Sequence, residues 1–97
     1  MPKLDIESVQ DLVRAADIEG FIAEGDPADE YDPEERQLFA AMATWPSSTF
    51  TKTNVLPVIV EIWRKSFSLD DADLSERLTR MDELAGQIVH FFGAHND

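Results

Sequence analysis

Apolar residues recur at three- and four-residue spacing through most of this chain, and that rhythm divides it into four helical segments. Ile6, Val9, Leu12, Val13 and Ala16 line one face of a helix from about Asp5 to Asp17. Asp5 and Glu7 lie in its first turn, where the partial positive charge of a helix start favours them, and Gly20 is placed to stop it in a left-handed conformation. Phe21 and Ile22 fold back as apolar anchors at the start of a connecting segment of about residues 20–32. That segment holds two Asp-Pro steps, Asp26-Pro27 and Asp32-Pro33. Each has the form of a helix start, with Asp as N-cap and Pro at the first helical position. The first starts a single turn. The second has Glu35 three residues after Asp32, the spacing of a capping box, and opens a helix presenting Leu38, Phe39, Met42 and Trp45 before Pro46.

Residues 46–53 are turn-rich. In Asn54 to Phe67 the β-branched Val55, Val58, Ile59, Val60 and Ile62 admit a strand. The length of the segment, Pro57 in a first turn and the tail through Trp63 to Phe67 favour a helix. Its apolar residues cover more than one face, so it is expected to be the central, most buried element. In the last helix Leu74, Leu78, Met81, Leu84, Ala85, Ile88, Val89 and Phe92 form one stripe. Asp73 caps its start with Glu76 three residues later, Gly93 stops it, and residues 93–97 fray. The sum is a small all-α, four-helix bundle-like single domain, 1–97, with a long acidic connection between helices 1 and 2.

Length and composition agree with one core: 97 residues, 43% of them hydrophobic, two Trp and six Phe among them. There are no cysteines, hence no disulfide framework, thiolate nucleophile or zinc-thiolate site. The longest apolar run, Val55 to Val60, is far short of the roughly 20 residues of a membrane span. Met1 to Asp5 lack the apolar stretch of a signal peptide, and a cytoplasmic location is expected. Charge changes the picture more. The formal net charge is −12, and residues 1–35 hold 2 basic against 12 acidic side chains. Residues 36–69 carry a net +3 and residues 70–97 a net −5. A field of this sign repels phosphate backbones and anionic lipid headgroups, so direct binding to nucleic acid or membrane is not expected.

Asp17-Ile18-Glu19-Gly20-Phe21-Ile22, followed by Asp29-Glu30-Tyr31-Asp32, resembles the YugE-like group of small bacterial proteins, an all-helical family of unknown function. That family has Asp, Pro, a variable residue, Gly and an apolar residue after its first helix, then an Asp-Glu-Tyr-Asp quartet, then a helix. Asp17, Gly20 and Phe21 match the first part, and Asp29, Glu30, Tyr31 and Asp32 the second. Ile18 stands where the family has Pro. The likeness covers about residues 5–67 in layout. It implies a helical fold and carries over no activity.

The acidic quartet is the main candidate for chemistry. Asp26, Asp29, Glu30, Tyr31, Asp32 and Glu35 are the candidate partner-binding residues, with Tyr31 either packed on the core or offered as an amphipathic anchor. The same carboxylates are the alternative site for a divalent cation or for hydrolysis. An EF-hand loop is absent, because counting from Asp26 puts Ala28 at position 3 and Tyr31 at position 6. His90 and His95 are five apart across Gly93, which is not the spacing of a helical metal pair. Ser47, Ser48, Thr49, Thr51 and Thr53 cluster without a cue that brings a base to them, and no phosphate-cradling glycine loop exists. Glu34 and Glu35 project in different directions and form no dyad. No catalytic residue, metal ligand or cofactor is assigned. The chain reads as a non-enzymatic interaction module that holds a basic protein partner through segment 24–35, immunity-like or regulatory. Self-association through exposed Phe50, Trp45 or Phe91 is a further reading.

Overall fold

Asp5 opens the first helix. Its backbone is extended and its carboxylate accepts the Ser8 N–H at 2.7 Å, satisfying one of the first turn's orphan donors. The computed structural model describes residues 5–93, with backbone alone at 28 and 29. The tail beyond Gly93, His95 included, lies outside the described residues. Helix α1 (Ile6–Ala16) buries Val9 and Val13 completely and stops at Asp17, whose φ of 45° lies in the left-handed region. The stop expected at Gly20 therefore comes earlier. Aspartate tolerates that conformation better than most residues, and Asp17 gains partners by adopting it. Gly20, at φ 76°, shapes the turn that follows.

A 3-10 turn, Ala28–Tyr31, runs straight into α2 (Asp32–Met42). The first Asp-Pro step thus gives the single turn expected of it. The second departs from expectation: the residue before the helix is Tyr31 (φ −92°, ψ 5°), Asp32 is already helical, and no side chain caps the start. Because the 3-10 turn feeds α2 from a helix-like backbone, Asp32 never takes the extended conformation a capping box requires.

Residues 54–67 are helical. Helix α3 (Lys52–Phe67) begins at a Thr51 cap whose hydroxyl accepts the Asn54 N–H at 3.3 Å. Pro57 consequently sits inside the helix, in its second turn, with no N–H to offer the Thr53 carbonyl. Val55, Ile59, Ile62 and Trp63 are buried, while Leu56, Val58 and Val60 are half-buried. The four helices close a ring, α1 and α3 each packing against α2 and α4. No helix is central, which corrects the expectation for α3: each has two neighbours and an outer face, and the surplus apolar residues of α3 lie at its margins.

Helix α4 (Asp71–Phe92) starts one turn before the expected cap. Asp70 accepts the Asp73 N–H at 2.9 Å and Asp73 accepts the Asp70 N–H at 3.3 Å, a complete reciprocal box. Met81, Leu84, Ala85, Ile88 and Phe92 are buried, but Leu78 is 47% exposed. In its first half α4 meets the turn after α1 through Arg77 and Arg80, while Leu74 packs half-buried against the core. Two aromatic clusters fill the ring. Phe21, Tyr31, Trp63 and Phe67 form one, with centroid separations of 5.4 to 6.2 Å. Trp45, Phe50 and Phe92 form the other. Phe50 is buried, Trp45 is half-buried, and Phe91 is 43% exposed.

Gly93 follows the end of α4 without a left-handed turn, at a place that leaves no room for a side chain. Its φ is −73°, and a Cβ there would come 2.5 Å from the Val89 carbonyl oxygen and 3.1 Å from that of Phe50. Gly93→Ala is expected to lose about 1–3 kcal/mol, the range of a backbone strained at a tight site. Urea unfolding checks it, and an unchanged midpoint would mean the helix end yields without resistance. No helix among the described residues is long and apolar enough to cross a membrane.

Candidate functional site

Asp17 organises the acidic connection. Left-handed at the end of α1, it turns its carboxylate towards the segment that follows. Oδ1 accepts the Ile22 N–H at 3.1 Å and the Tyr31 hydroxyl at 2.7 Å, and Oδ2 accepts the Ala23 N–H at 2.9 Å. Its backbone carbonyl accepts from Arg80 at 2.7 Å and from the Gly20 N–H at 2.9 Å. The Tyr31 hydroxyl in turn accepts the Glu19 N–H at 2.9 Å. Residues 17–31 are thereby tied at both ends to one carboxylate, and the Asp17–Gly20–Phe21 cluster meets the Asp29–Asp32 cluster at a hydrogen bond. Burial pushes the Asp17 carboxyl up, but the donors from Tyr31, Ile22 and Ala23, with the Arg80 charge, hold it below the usual aspartate value. Burial first, and then donation to Asp17, raises the Tyr31 hydroxyl far above the ordinary tyrosine range, so it stays protonated as a donor.

Tyr31 is fully buried. As a surface anchor for a partner it is corrected: its ring lies in the aromatic cluster, and both its hydroxyl bonds are internal. Glu35 is also fully buried, accepting from Arg14 Nε at 3.2 Å, so it belongs to the α1–α2 interface and not to a contact surface. Asp32 is partly exposed and sits between Arg36 at 3.3 Å and Arg14 at 3.8 Å. Glu19 is bound by Arg77 at 2.7 Å. Glu24, Asp26 and Glu30 are exposed, and among the described residues none of the three forms an ion pair. The side chain of Asp29 lies outside the described residues. The acidic run is thus two populations, one holding the fold together and one facing outward.

Neither the Asp17 network nor the Arg14–Glu35 and Glu19–Arg77 pairs were assigned from the sequence. Their partners lie 21 and 58 residues apart, beyond any local pattern. Among the described residues no three His, Asp or Glu side chains are placed to hold a metal ion.

Two buried carboxylates give the protein a pH dependence. Burial pushes Glu34 up; a hydrogen bond from Ser66 opposes this, and the charges of Glu19 and Glu30 add to it. Burial likewise raises Glu35 against the opposing Arg14 charge. A carboxyl raised in the folded state contributes stability that is fully present below its unfolded value and is lost as pH rises through the folded one. Asp5, held low by the Ser8 N–H, and Asp17 act oppositely, losing their contribution only as pH falls through values below 3.8. Stability is therefore expected to rise as pH falls from neutral towards the ordinary glutamate value of 4.5 and to fall again below 3.8. Urea midpoints across that range check this. A midpoint that falls steadily from neutral downward would contradict it.

Comparisons with family models, with curated proteins and with solved structures find nothing that matches this chain, so the site stands on its own geometry.

Proposed function

We propose that this chain is a non-enzymatic cytoplasmic interaction module that holds a basic protein surface against its acidic turn. Glu24, Asp26, Asp29 and Glu30 are the contact carboxylates, and the YugE-like likeness of the same stretch is part of the proposal. The supporting observation is the division of the carboxylates. Those of Asp17, Glu19, Asp32 and Glu35 are used inside the molecule, whereas Glu24, Asp26 and Glu30 are exposed on a turn held at both ends and form no ion pair among the described residues. A turn already held in place loses little conformational freedom on binding. A net charge of −12 draws a basic partner in over a distance. An immunity-like inhibitor of a basic enzyme is one specific form of this role. Because Tyr31 is internal, charge supplies most of the recognition.

The test is the salt dependence of capture. A basic protein retained on the immobilised chain at low salt is expected to be released as ionic strength passes the point where the screening length falls to about 8 Å. Retention indifferent to salt would overturn the electrostatic reading.

A further inference from the structure

Glu34 is only 5% exposed, yet its carboxylate forms no ion pair among the described residues. The cations of the surrounding helices are engaged elsewhere or face solvent. Arg14 holds Glu35 and Asp32, Arg36 holds Asp32, Arg77 holds Glu19, and Arg80 donates to the Asp17 carbonyl. On α3, Lys65 pairs with Glu61 and Arg64 is exposed. What faces Glu34 is the Ser66 hydroxyl of α3, together with the negative charges of Glu19, from the turn after α1, and of Glu30. Glu30 lies four residues earlier, on the 3-10 turn that runs into α2, and like charges at that spacing repel. A buried carboxyl served by a hydroxyl and no cation keeps its proton more firmly than an exposed one.

Glu30 is also one of the outward contact carboxylates. A lysine or arginine brought to it stands about one helical turn from Glu34 and offsets the negative charge acting there. The ionised form of Glu34 gains from that cation and the protonated form does not. The coupling is reciprocal, so ionised Glu34 strengthens the hold on the cation by the same factor. We infer, resting on the acidic turn as the contact surface, that binding a basic protein there draws the proton off Glu34, so that the complex holds at neutral pH and loosens as pH falls. The sign is fixed by the two states. Glu34 titrates higher in the free chain than in the complex, and affinity falls as pH drops through the free value and levels off below the bound one. Acid that tightens the fold through Glu34 thus loosens the complex.

Calorimetric titration with a short oligolysine, whose ammonium groups keep their charge throughout the acid range, tests this on the wild type and Glu34→Gln. From neutral pH to about pH 5, the wild-type affinity is expected to fall about two- to threefold further than that of Glu34→Gln, the scale of a charge interaction one helical turn apart. In buffers of different ionisation heat the wild type should also release more protons on binding. Protons from the contact carboxylates are common to both proteins, so the difference belongs to Glu34. Carbon NMR of the Glu34 carboxyl in the wild type keeps the test open if the variant misfolds, and its resonance should titrate at lower pH with oligolysine bound. Salt-sensitive binding with the same pH dependence and proton release in both proteins, or a Glu34 resonance indifferent to oligolysine, overturns the coupling and leaves the contact surface standing. Oligolysine that binds neither protein at any pH overturns the contact surface, and the coupling with it.

Discussion

Asp17→Ala is expected to unfold at a much lower urea concentration than the wild type, losing about 3–4 kcal/mol. The substitution strands the Tyr31 hydroxyl and the N–H groups of Ile22 and Ala23, three donors that all end on one carboxylate. Each lost hydrogen bond is worth about 1–1.5 kcal/mol, and alanine at a φ of 45° adds strain that aspartate tolerates better. For a domain with about 5–10 kcal/mol in total this is a large fraction. Tyr31→Phe should keep the ring in the aromatic cluster and is expected to lose about 1–2 kcal/mol, leaving Asp17 and the Glu19 N–H without their shared partner. The double variant should be less destabilised than the two losses together, because they remove the same bond. Strict additivity would show that the Asp17–Tyr31 contact contributes nothing and that the connection is held some other way.

Arg14→Ala carries the second large effect, and its size depends on pH. Glu35 is completely buried and Arg14 supplies its ion pair, so removing the arginine leaves an uncompensated charge inside the ring. Breaking a buried pair in this way costs about 3–5 kcal/mol when both partners are buried. Arg14 is 31% exposed, and water screening brings the expected loss at neutral pH to about 2–3 kcal/mol. The Glu35 carboxyl, already raised by burial, rises further without Arg14 and takes up a proton as pH falls towards 4.5. The variant should then approach the wild type. Adding Glu35→Gln to Arg14→Ala should recover part of the loss at neutral pH, since no charge is left to compensate. An equal loss at both pH values would place the contribution of Arg14 in packing and not in charge.

How far the sequence could be read follows from the range of each interaction. Helix identity was legible because apolar spacing is local: the segment 54–67 resolved as a helix on length and its aromatic tail despite five β-branched residues. The acidic connection was placed correctly, and its first Asp-Pro step does start a single turn. Helix ends were misplaced wherever two residues competed for one role. Asp70 took the cap assigned to Asp73, Asp17 took the stop assigned to Gly20, and Tyr31 displaced Asp32. In each case the winner was decided by a partner or a preceding turn that local pattern does not carry. From the sequence alone Tyr31 and Glu35 read as contact residues, because acidic neighbours suggest a surface. Their burial depends on Asp17, Trp63 and Arg14, residues brought to them by the closing of the ring.

The most direct test of this division is to neutralise the outward carboxylates alone. Glu24→Gln/Asp26→Asn/Glu30→Gln should unfold within about 0.5 kcal/mol of the wild type, as surface substitutions do, and should no longer retain a basic protein that the wild type captures from lysate at low salt. A triple variant that unfolds early, or that captures the same protein as well as the wild type, would contradict the division of the acidic run into an internal frame and an outward contact surface.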